Sequence, residues 1–137
     1  MSRTIIRFEV SNYADVQATE DGRLPADQVR KVWMNGVVDT GASRLVLPKA
    51  VVDQLGLPLY ARSTVRYADQ RTAERDVVKH AYVVLVNRGG VFKAVVEPDR
   101  TDALIGAIVM EDLDLLVDCT GQKVVPRDPH TLVTEIE

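Results

Sequence analysis

The chain has 137 residues, 46% of them hydrophobic, and its 17 Lys and Arg against 20 Asp and Glu give a formal net charge of -3. That length suits one domain with its own core, so a single domain over residues 1–137 is expected, and no stretch gathers the basic side chains that nucleic acid requires. There is no apolar stretch of signal-peptide or bilayer-spanning length and Cys119 is the only cysteine, so the expectation is a cytoplasmic chain with no membrane segment and no internal disulfide.

Alternation and short apolar bursts outnumber helical spacing, and most elements read as strands. Residues 5–10 alternate and predict the first strand. Residues 15–27 are polar, contain Gly22 and Pro25, and read as a surface connection with at most a helical turn over 25–28. A strand over 29–34 is expected to bend at Asn35-Gly36, after which Val37-Val38 leads into Asp39. Residues 44–47 form a short strand. Residues 48–55 have helical spacing, with Val51, Val52 and Leu55 on one side and Gly56 as a C-terminal stop.

Two hairpins follow. Residues 63–67 and 74–78 flank a polar tip, and 80–86 and 91–96 flank Asn87-Arg88-Gly89-Gly90, a tight-turn signal. Residues 103–105 are a strand stopped by Gly106, and 107–113 a second short helix. Strands over 115–118 and 123–125 are joined by a turn at 119–122.

Asp39 is the residue that asks for an explanation. A carboxylate at the mouth of an apolar strand costs several kcal/mol, roughly, to bury charged unless donors surround it. Gly41 lets the backbone turn so that N–H groups reach the acid, and Thr40 supplies a hydroxyl. On the tripeptide alone an ordinary Asp-Thr-Gly turn is the better account. Other chemistries lack their residues: His80, His130 and Cys119 do not have zinc-ligand spacing, and Ser43 has no partners for a triad, so no metal and no cofactor are expected.

The segment VVDTGASRLVLP, ending at Pro48, resembles the active-site motif of aspartic peptidases, in which an apolar pair precedes Asp-Thr/Ser-Gly and an apolar strand follows. ALIGAIVMEDLDLLVD, beginning at Ala103, resembles that family's later signature of an apolar pair, a glycine and a short helix. The order of loop, hairpin, apolar-apolar-Gly and helix is similar to that of the retropepsin-like group over about residues 29–126. The resemblance implies an all-β closed barrel, the acid-protease half-fold, with two short helices. It also implies a C2 homodimer, since the chain carries one such acid and the second must come from a partner copy.

The function implied is a homodimeric aspartic endopeptidase in which two Asp39 carboxylates, one from each subunit, share a proton and activate water against a peptide bond. The family's pattern gives Thr40 a bond across the dimer and Gly41 a carbonyl for the substrate backbone. It puts Val37, Val46 and Leu104 in apolar subsites, Ala42 and Ser43 in the substrate-facing loop, and Tyr67, Ala68, Asp69 and Gln70 at the tip of a closing flap. Arg44 and Asp102 would lie at the groove edges. This chain departs from the pattern in three places. Gln70 stands where a flap glycine is expected, and Ser43 and Ala107 stand where viral members place an acid and an arginine that pair. The alternative reading is a dimer of the same fold that binds peptides or assembles without turnover.

Overall fold

In a computed structural model that describes residues 3–137, the chain order is β1 (Thr4–Asn12), α1 (Tyr13–Glu20), β2 (Lys31–Val38), β3 (Leu45–Pro48), α2 (Lys49–Leu55), β4 (Leu59–Arg66), β5 (Thr72–Leu85), β6 (Arg88–Glu97), β7 (Ala103–Ile105), α3 (Ala107–Asp112), β8 (Leu115–Asp118) and β9 (Lys123–Pro126). The main sheet runs β1-β2-β7-β3-β6-β5-β4, and β1 also pairs with β5. Six strands therefore close into a barrel, which leaves no open edge within the ring, and β4 hangs on β5 outside it. β8 and β9 form a separate hairpin with Cys119 exposed in its turn. Alternation sends Phe8, Val10, Leu45, Leu47, Val83 and Ile105 inward, where Leu55 and Val109 from α2 and α3 join them. No helix among the described residues is long and apolar enough to cross a membrane.

Most strands fall where expected, but the strands expected over 74–78 and 80–86 are one strand, β5, β2 begins at Lys31 and not at 29, β3 is displaced by one residue, and there are three helices and not two. α1 occupies part of the expected surface connection, and a 3-10 turn follows at Ala26–Gln28. α1 buries none of its residues, so no apolar stripe marks it. It is set instead by Asn12, whose side chain accepts from the Asp15 amide and donates to the Leu55 carbonyl at 2.9 Å, capping one helix while satisfying the end of another. The Asp15 carboxylate then takes bonds from the Arg30 backbone and guanidinium, and these hold it below the usual carboxylate range.

Two glycine readings also change. β2 does not bend at Gly36; a Cβ there would lie 2.9 Å from Phe8 and 3.0 Å from Ile105, so glycine permits close packing across the core. The β5–β6 turn is Val86-Asn87, both at positive φ, and not residues 87–90. Gly89 and Gly90 belong to β6, where a side chain on Gly89 would strike the Tyr82 ring.

A bulge between Val78 and Ala81, with His80 at φ 68, divides β5. Its first half pairs with β4 as a long hairpin and its second half pairs with β1 in the barrel. The hairpin is thereby rooted in the barrel wall.

Candidate active site

β2 ends at Val38, and the Asp39 amide extends the pairing with β7 by donating to the Ile105 carbonyl at 3.0 Å. The chain then turns. Ala42 N–H donates to the Asp39 carbonyl at 3.1 Å, and Gly41 N–H donates to Asp39 Oδ1 at 2.9 Å. A Cβ on Gly41 would lie 3.1 Å from that same oxygen, so glycine lets the carboxylate rest on its own loop's amide. Asp39, Thr40, Gly41 and Ser43 are exposed and Ala42 is half-buried. The acid is thus held by the backbone yet open to solvent.

The loop is clamped from behind by α3. Ala107 N–H donates to the Ala42 carbonyl at 2.8 Å and Ile108 N–H to the Ser43 carbonyl at 3.0 Å. Between them Gly106 has no room for a side chain: a Cβ would meet the Arg44 carbonyl oxygen at 2.5 Å and the Ala42 carbonyl oxygen at 2.8 Å. The two sequence motifs are therefore halves of one structure, an acid-bearing loop and the glycine-helix segment that grips it.

Register assembles an apolar strip beside the acid. Val37 pairs with Leu104, Leu104 with Val46, Val46 with Val95, Val95 with Val77 and Val77 with Ala61, a continuous row across β2, β7, β3, β6, β5 and β4. Neighbours along each strand alternate in direction, and those flanking the row, such as Ala103, Ile105, Leu45, Leu47, Ala94 and Val96, belong to the main core. Val37, Val77 and Val95 are outside that cluster although each is buried, and Val46 and Leu104, also outside it, are half-buried. The row thus lies on the opposite face, and Asp39, two residues past Val37, continues it. Three of its members were expected from the sequence. Val77 and Val95 were missed, because only the cross-strand register brings them to this row.

The β4–β5 hairpin ends in Tyr67–Arg71. Gln70 N–H donates to the Tyr67 carbonyl and Tyr67 N–H to the Arg71 carbonyl, both at 2.9 Å. Gln70 takes φ 71, the left-handed conformation that glycine adopts freely. The tip forms without glycine because Asp69 braces it. Its carboxylate accepts from the Arg71 amide and guanidinium, and Arg71 lies 5.1 Å over the Tyr67 ring. Ala68, Asp69 and Gln70 are exposed, whereas Tyr67 is half-buried and donates its hydroxyl to Glu97 at 2.5 Å, a bond that raises its phenol above the ordinary value. Tyr67 is thus anchored and not free at the tip.

A family model described as aspartyl protease matches residues 27–109, a span that includes the acid loop, the hairpin and Gly106. No curated protein matches the chain significantly. Among solved structures, EIAV protease complexed with the inhibitor HBY-793 is similar at TM-score 0.50 and 20% identity, over 59% of this chain and 77% of that one. At that identity the likeness is one of fold, and the fold is the retroviral-protease type.

Proposed function

The chain belongs to the aspartyl protease family, and on that premise we propose that it is a homodimeric endopeptidase whose site is completed by Asp39 from each of two copies. The observation that carries the reading is the exposed Asp39 carboxylate resting on the Gly41 amide at the end of an apolar row. An acid placed to be buried in a monomer would be enclosed, whereas this one is open to solvent and so available to a second copy and a peptide.

Two such carboxylates in contact hold one proton between them. The ionised member takes a proton from water as the water oxygen attacks the scissile carbonyl carbon, and the protonated member donates to the carbonyl oxygen. The tetrahedral intermediate then collapses, the C–N bond breaks, and the departing nitrogen takes a proton from the acid pair. Thr40, whose hydroxyl makes no side-chain hydrogen bond among the described residues, is assigned the bond across the dimer. The half-buried Val46 and Leu104 would form the apolar floor for substrate side chains, backed by the buried Val37, Val77 and Val95, with Arg44 and Asp102 at its edges. The hairpin would cover the peptide and exclude water. The glycine-free tip is compatible with this role, since Gln70 takes the left-handed position itself.

Subunit mixing tests the proposal. Asp39→Asn should fold and dimerise but not hydrolyse peptides, and an excess of it should lower hydrolysis per wild-type chain steeply once subunits exchange. Activity indifferent to verified exchange would reject the shared site, and a wild type that binds peptides without cleaving them would favour the non-catalytic reading.

A further inference from the structure

Glu97 ends β6, two residues past Val95 of the apolar row, and Arg75 on β5 lies two residues before Val77. By the alternation of strands both side chains continue the face of the row. Arg75 Nε donates to Glu97 Oε1 at 3.1 Å, and the Tyr67 hydroxyl donates to Oε2 of the same carboxylate. The Glu97 side chain is 14% exposed and that of Arg75 27%, so solvent screens the cluster only partly.

The position of Tyr67 makes this contact informative. In the β4–β5 register the residue opposite Arg75 is Ser63, not Tyr67. Tyr67 is four residues further along, about 13 Å at the usual strand rise, and β4 lies two strands, about 10 Å, from β6. A flat hairpin would carry the hydroxyl beyond the reach of Glu97. The hairpin must therefore curl back over the face of the row, and the carboxylate is the point on the barrel that holds it there. Since Glu97 also pairs in register with Pro48, at the end of the strand that follows the Asp39 loop, the anchor sits on the same sheet as the acid.

We propose that Glu97 is a positioning residue for the flap: by accepting from both Tyr67 and Arg75 it keeps the β4–β5 hairpin drawn over the apolar row, in the place that a substrate peptide would find it. The inference rests on the peptidase reading for its effect on catalysis, but not for the tether itself. When the tether is released the hairpin lifts from the row and opens locally more often. Substrate binding then weakens, while the Asp39 chemistry is left intact.

The test compares Tyr67→Phe, Glu97→Ala and Glu97→Gln with wild type in three measurements: thermal midpoint, the rate of trypsin nicking at Arg66 and Arg71, and KM against kcat on a peptide substrate. Nicking should rise about tenfold in Tyr67→Phe, the factor expected for one lost charge-assisted hydrogen bond, and by more in Glu97→Ala, which loses the bonds from both Tyr67 and Arg75, in each case by more than any change in midpoint accounts for. KM should rise by about five- to tenfold with kcat within about twofold, and Glu97→Gln, whose amide oxygen still accepts, should fall between. Nicking unchanged in all three variants overturns the tether, and that result can be read even if the wild type cleaves no peptide and the peptidase reading fails. Faster nicking with KM unmoved overturns the positioning role while leaving the peptidase reading standing. A fall in midpoint that accounts for all the kinetic change reduces Glu97 to a structural residue and likewise rejects it.

Discussion

Replacing Gly106 with alanine should dislodge the Asp39 loop. Its φ of -89 is open to any residue, so the penalty is steric and not conformational. The added Cβ would meet Arg44 O at 2.5 Å, Ala42 O at 2.8 Å and Ser43 C at 2.8 Å, all backbone atoms that no rotamer change can move. Relief requires the loop or the start of α3 to shift, which stretches the bonds from Ala107 N to Ala42 O and from Ile108 N to Ser43 O. Forcing a methyl into a packed site costs about 1–3 kcal/mol and each of the two weakened backbone bonds about 1, so a destabilisation of about 3–5 kcal/mol is expected. Urea unfolding measures it as a lower midpoint at constant slope. Peptide hydrolysis should fall further than the folded fraction, because Asp39 is bonded to the residue just before the shifted glycine. A midpoint within about 0.5 kcal/mol of wild type would refute the clamp, since changes of that size are ordinary for surface positions without such contacts.

Val86 holds φ 53 at the first position of a two-residue turn where asparagine is at home, so Val86→Asn should stabilise the chain by about 1 kcal/mol in urea unfolding; an unchanged or lower midpoint would contradict the strain. Asp15→Asn should cost about 1 kcal/mol at neutral pH through the lost charge on the Arg30 bonds. Because the folded state lowers the pKa of Asp15, that stability is present above the unfolded value of about 4 and is lost as pH falls through the folded one, so the gap between variant and wild type should close in acid; a gap constant down to pH 2 would count against it. Hydrolysis by the wild type should follow a bell confined to acidic and near-neutral pH, since one carboxyl must be ionised and its partner protonated, and a rate still rising into alkali would point to other chemistry.

The residues that could be read from the sequence are those whose reason is local. Asp39-Thr40-Gly41 and Leu104-Ile105-Gly106 are contiguous, and so are the αL glycine after α2 and the alternation of most strands. What could not be read depends on partners distant in the chain. α1 has no apolar face of its own, and its cap, Asn12, owes its burial to Leu55 and Gly56. Gly36, Gly89 and Gly90 look like turn residues until Phe8, Tyr82 and Phe92 are seen against them. Val77 and Val95 are unremarkable strand valines until register sets them beside Val46. Tyr67 was legible as a tip residue, but its tie to Glu97 spans thirty positions.

The same distinction explains why the missing ion pair leaves no gap. In the pattern that the sequence resembles, opposite charges support the acid loop at the positions occupied here by Ser43 and Ala107, and a chain lacking both would be suspect if side chains were the only support. Here each of those positions is held instead by a main-chain bond to the other's neighbour, Ala107 N to Ala42 O and Ile108 N to Ser43 O, which any residues could make provided that Gly106, packed against the loop, permits the approach. Such bonds carry no titrating group and are little screened by salt, unlike an exposed ion pair. The loop's integrity should therefore be indifferent to pH and ionic strength across the range in which peptide hydrolysis is measured. On the proposed shared-acid mechanism, the two limbs of that profile would then report the paired carboxyls and not the support beneath them.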